Sequence, residues 1–129
     1  MTELRGAIDN AVFGALCESV GNDPEFLGKL VDQCLRDAPK QLESLRGAAT
    51  SGDATATRRA AHTLKGTSLT FGAGKLASLC QDAETAASAD NLTAVLRRLD
   101  EIDGEWSRVG AELLVWREGI RPASPPARR

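Results

Sequence analysis

The sequence predicts an all-α protein: an antiparallel up-down four-helix bundle with a short additional N-terminal helix. Three observations carry that expectation. Ala and Leu abound while aromatics are few, with three Phe, two Trp and no Tyr, a balance that favours helices over sheets. Five segments space their apolar residues by threes and fours, the period of a helix face. The breaks between them are short and carry helix-end signals, and short links between long amphipathic helices favour antiparallel neighbours. No internal repeat or strand-like alternation competes with this reading.

The first helix is expected from about Asp9 to Val20, with Val12, Phe13, Leu16 and Val20 on one side, and it stops at Gly21-Asn22. Asp23-Pro24 opens the second, an N-cap followed by proline at the first helical position. Its apolar set is Leu27, Leu30, Val31, Cys34, Leu35, Ala38, Leu42 and Leu45. Pro39 falls inside this pattern and is expected to kink or split the helix, because it removes a backbone donor and crowds the preceding turn. Ser51-Gly52-Asp53 breaks the chain and caps a third helix over Ala54 to Phe71, ended by Gly72. The fourth runs from Gly74 to Ala87 with Leu76, Leu79, Cys80, Ala83 and Ala87 inward. After Ser88-Ala89-Asp90-Asn91 comes the longest, ending near Arg117. Its stripe is Leu92, Val95, Leu96, Leu99, Ile102, Trp106, Val109, Leu113 and Trp116.

The 129 residues suffice for one core and not two. The expected division is an N-terminal segment at 1–6, one domain at 7–118 and a disordered, Pro-rich tail at 119–129. A formal net charge of -2 argues against nucleic acid as a partner, since binding a phosphate backbone needs a basic surface. No run of eighteen apolar residues and no basic-then-apolar leader occurs, so neither membrane nor secretion is expected. The three cysteines, Cys17, Cys34 and Cys80, occupy apolar positions of separate helices without a CxxC pair. They read as buried free thiols in a reducing cytoplasm, not as a zinc set.

The chain has one histidine. On the third helix Ala61, Leu64, Ser68 and Phe71 share a narrow arc, with Thr57 opening the stripe, and His62 projects roughly 140° from its centre by helix geometry. It is therefore expected in solvent, sharing a broad face with Arg58, Arg59, Lys65, Gly66 and Leu69. An exposed imidazole keeps a nucleophilic nitrogen free at physiological pH. Neighbouring guanidinium and ammonium groups attract and steady a phosphoryl group. Gly66 leaves room one turn after the ring, at a helix-interior cost of roughly 1 kcal/mol against alanine. Leu69 offers an exposed apolar spot for docking. On these residues alone a second reading stands beside the first: an incidental histidine on a solvated basic face. A di-iron bundle does not fit, because Arg59 stands where such a site needs a Glu three residues before its His.

The run Ala61-His62-Thr63-Leu64-Lys65-Gly66-Thr67-Ser68-Leu69-Thr70-Phe71-Gly72-Ala73 resembles the signature of histidine-containing phosphotransfer (HPt) domains, an A-H-x-L-K-G core, small residues and a closing G-A. Ile8-Asp9, Phe26-Leu27, Gly52-Asp53 and Leu79-Cys80 with Glu84 extend the resemblance over about residues 7 to 117. It implies that His62 is phosphorylated on Nε2, that Lys65 helps hold the phosphoryl group and that Gly66 clears space beside the ring. Where family members often carry a Gln that orients the imidazole, this chain has Glu84 at or near the place and Gln81 one turn earlier, so both are candidates.

The resemblance further implies a two-component phosphorelay. A receiver domain of a response regulator or hybrid histidine kinase would dock over the third helix, on Leu69 and Thr63, and bring its phospho-aspartate, Mg²⁺ and lysine. The chain would be a monomeric cytoplasmic phosphocarrier with no cofactor or metal of its own and no autonomous kinase activity. Met1 and the tail suggest a free-standing protein instead of the phosphoacceptor piece of a larger kinase. The alternative is a non-catalytic helical adaptor that binds receiver or kinase domains through the same face.

Overall fold

A computed structural model of the chain describes residues 6–119. The expected N-terminal segment and disordered tail fall almost wholly outside the described residues. Among the described residues there are five elements, all helices: α1 (Asn10–Ser19), α2 (Pro24–Thr50), α3 (Ala54–Phe71), α4 (Gly74–Ser88) and α5 (Leu92–Gly119). Each of the four long helices packs against two others, α3 against α2 and α4, and α5 against α2 and α4, while α1 lies on α3.

Local chemistry sets the ends. The carboxylates of Asp9, Asp23 and Asp53 accept from the free N–H groups of the first turns of α1, α2 and α3. Gly72 ends α3 in the left-handed region at φ 82, where a glycine carries no side-chain penalty. Ala73 N–H then bonds back to Ser68 O at 2.8 Å, so α4 starts after a two-residue turn.

The α3 stripe of Thr57, Ala61, Leu64, Ser68 and Phe71 is buried, as are Leu76, Leu79, Cys80, Ala83 and Ala87 of α4. The two hydroxyls on the α3 stripe are satisfied inside their own helix, Thr57 donating to Asp53 O and Ser68 to Leu64 O, both at 2.7 Å. They can therefore occupy core positions without an unpaired polar group. Cys34 and Cys80 are buried free thiols, and burial pushes both up to about 12; Cys17 is only half-buried.

The structure narrows one expectation and corrects two. Pro39 does not split α2, which runs unbroken from Pro24 to Thr50. The proline is exposed, and on the solvent side water can serve the carbonyl left without its donor. Leu96 and Val12 were placed on inner stripes but are exposed. Each directly adjoins a buried residue, Val95 and Phe13, and is rotated about 100° from it. Conversely, α5 buries two carboxylates, Glu105 and Glu112. Glu112 accepts from the backbone N–H groups of Ala7 (2.9 Å) and Ile8 (3.2 Å), which precede α1 and have no helical partner.

That clamp fixes the chain entering α1. Asp9 N–H donates to Gly72 O at 2.8 Å, and Phe13 meets Trp116 edge-on with ring centroids 5.0 Å apart. A methyl group on Gly72 would stand 3.0 Å from Asp9 O and 3.1 Å from Val12 Cβ. The first helix is thereby seated on the end of α3, on the helix that carries His62.

Candidate functional site

The tight turn between α3 and α4 sets a simple antiparallel register. His62 and Glu84 lie equally far from Ala73 along the chain, and so do Lys65 and Gln81. Both pairs meet across the two helices. His62 Nδ1 lies 3.0 Å from Glu84 Oε2. The Lys65 ammonium sits 2.9 Å from Glu84 Oε1 and donates to Gln81 Oε1 at 2.8 Å. Gln81 in turn donates its amide N–H to the Thr85 hydroxyl at 3.0 Å.

The members differ in exposure, and the difference decides what each can do. The His62 side chain is 65% exposed, while Glu84 and Lys65 keep only 16% and 20%. The Lys65 ammonium pulls the Glu84 carboxyl below its ordinary value, against the upward push of burial and with help from the His62 ring. Glu84 is thus a carboxylate at neutral pH, an acceptor only. Nδ1 must then carry the proton of that hydrogen bond. In the neutral ring this leaves the lone pair on Nε2, the nitrogen turned away from Glu84.

The sequence candidates separate into two groups. His62, Lys65, Glu84 and Gln81 form one connected cluster. Gln81 reaches Lys65 and not the ring, so of the two orienting candidates it is Glu84 that touches the imidazole. Arg58, Arg59, Thr63 and Gly66 are exposed around His62 on α3, and a methyl group on Gly66 would meet nothing within 4 Å. Leu69 is 56% exposed. It borders a shallow groove between α3 and α4 that is also lined by Lys65, Gly74, Ala77, Ser78 and Gln81. Composition and periodicity did not reveal this groove or the Lys65–Gln81 bond. The equal spacing of the two pairs about the turn was the signal that could have.

Over residues 29–112, well over half of its length, the chain matches the Hpt domain family. The chain belongs to the Hpt family. Among solved structures it is similar to histidine-containing phosphotransfer protein B (HptB) from Pseudomonas aeruginosa PAO1. The TM-score is 0.83 and the sequence identity 28%, over 90% of this chain and 98% of that one. No curated protein matches it. Membership fits an all-helical protein in which, among the described residues, no helix is long and apolar enough to cross a membrane. Hpt domains belong to histidine phosphotransfer in phosphorelays, and the matched stretch includes α3 and the chain's one histidine.

Proposed function

We propose that this Hpt domain is a phosphocarrier that accepts a phosphoryl group on His62 Nε2 from the phospho-aspartate of a receiver domain and passes it to the aspartate of another. The observation that carries this reading is the pairing of His62 Nδ1 with the Glu84 carboxylate at 3.0 Å on a ring that is 65% exposed. In the neutral ring the nitrogen held by Glu84 carries the proton, and the other keeps its lone pair for attack. The Nε2 lone pair attacks phosphorus in line, and the bond to the aspartyl oxygen breaks, returning the donor carboxylate. The ring becomes cationic as it forms the new N–P bond, and the Glu84 carboxylate offsets that charge.

Arg58, Arg59 and Lys65 supply positive charge around the arriving group, and open space at Gly66 admits the donor loop. Thr63 and Leu69 belong to the surface the receiver covers. Mg²⁺ and much of the charge stabilisation come with the receiver, whose acidic site is the natural complement of this face. The four long helices act as an antiparallel up-down bundle, a rigid support for a monomeric, cytoplasmic carrier that does not phosphorylate itself from ATP.

The test is transfer of label from a panel of phosphorylated receiver domains to the wild-type chain and to His62→Gln. Acid-labile, alkali-stable label on the wild type and none on the variant is the expected result. Receivers that bind the chain yet never label it would replace the carrier with an adaptor that uses the same face.

A further inference from the structure

The cations around His62 are not equivalent. Lys65 is committed: its ammonium lies 2.9 Å from Glu84 Oε1 and 2.8 Å from Gln81 Oε1, on a side chain only 20% exposed. Pulling it out to meet a phosphoryl group would strip the carboxylate beside the ring of its counter-charge. Arg58 and Arg59 are exposed, and neither has an ion pair or side-chain hydrogen bond among the described residues. Both lie on the turn preceding His62, within one helical turn of it and flanking it to either side. Helical side chains lean toward the N-terminus, so the imidazole covers that turn and not the one after it. With Nδ1 tied to Glu84 on α4, Nε2 is the ring nitrogen left for a phosphoryl group, and the arginines are the cations within one helical turn of it that no carboxylate among the described residues holds.

Resting on the carrier reading above, we propose that Arg58 and Arg59 hold the phosphoryl group on His62, while Lys65 is a positioning residue that acts through Glu84. The two roles suit the two chemistries. Guanidinium groups present forked donors to phosphate oxygens. A compact ammonium suits a fixed carboxylate and an amide oxygen. In this arrangement Lys65 sets the ring's tautomer at one remove, and the arginines meet the charge that arrives.

The two roles make opposite predictions in a double-mutant cycle. The probe is potassium phosphoramidate, a small phosphoryl donor without a docking surface, used on the full chain with melting curves to verify that each variant is folded. Arg58→Gln with Arg59→Gln is expected to slow labelling of His62 by about tenfold or more, equally with Glu84 present or in the Glu84→Ala background. Arg58→Lys with Arg59→Lys recovers most of the rate. Lys65→Met slows labelling only while Glu84 is present and adds nothing in the Glu84→Ala background. In ³¹P NMR titrations, losing the arginines moves the last protonation of the phosphoryl group to higher pH, and Lys65→Met leaves it in place. A Lys65→Met loss that persists undiminished without Glu84, or arginine variants that label like wild type, would overturn the assignment while leaving His62 as the carrier. A wild-type chain that takes no label from phosphoramidate or from any receiver would overturn the carrier reading and this assignment together.

Discussion

The two faces of α3 are built on different terms. The inner face, Thr57, Ala61, Leu64, Ser68 and Phe71, is closed and self-sufficient: its apolar groups are packed, and its two hydroxyls bond within the helix. The outer face, Arg58, Arg59, His62, Gly66 and Leu69, is open, and the one contact that organises it comes from Glu84 on the neighbouring helix. One face holds the helix in place; the other spends some of that stability on access and charge. The contrast teaches that the site is a property of the α3–α4 pair, although the signature that announces it lies on α3.

The largest expected effect lies on the inner face. Leu64 is fully buried, so Leu64→Ala is expected to cost about 2–5 kcal/mol in urea unfolding. The exposed Leu69→Ala is expected to change stability by about 0.5 kcal/mol or less while weakening receiver binding. Equal stability losses at the two positions would contradict the division of faces. Next in size is the clamp that seats α1 on the end of α3. Glu112→Ala leaves the buried N–H groups of Ala7 and Ile8 without their acceptor, and a loss of about 2 kcal/mol is expected. Amide exchange at Ile8 should quicken more than at Leu64.

Gly66→Ala sharpens the contrast with the opposite sign. The site is open and mid-helix, so the substitution should raise stability by about 0.5–1 kcal/mol. The added methyl should slow transfer from a receiver, because it narrows the approach to the ring. Smallest is the pH dependence of Glu84. Its carboxyl is lowered in the folded protein, so its contribution to stability is complete at neutral pH and is lost as pH falls below the ordinary carboxylate range. The stability gap between wild type and Glu84→Gln should therefore close on going from pH 6 to pH 3.5, and a gap that widened would reverse the assigned sign.

The inner face was legible because periodicity reports burial directly: the α3 and α4 stripes stand where the spacing put them, and the caps at Asp23, Asp53 and Gly72 set three helix ends. The exposure of His62 followed from the same geometry. Other features depend on partners that a local pattern does not contain. Glu112 is buried because it serves two amides at the far end of the chain, and a carboxylate in an otherwise apolar stripe reads as exposed until those amides are seen. Leu96 and Val12 misled because an apolar residue beside a buried one can still face water. Glu84 was a candidate through family resemblance, but its contact with the ring, and that of Gln81 with Lys65, came from the register across the turn.

In the proposed function His62 carries the phosphoryl group on the nitrogen that Glu84 leaves free. The most direct test is to phosphorylate ¹⁵N-labelled protein from a receiver domain and read the phosphorus–nitrogen coupling by NMR. Phosphorus bound to Nε2 of His62, with Nδ1 still protonated, is the expected result. Phosphorus on Nδ1, or on any residue other than His62, would contradict it.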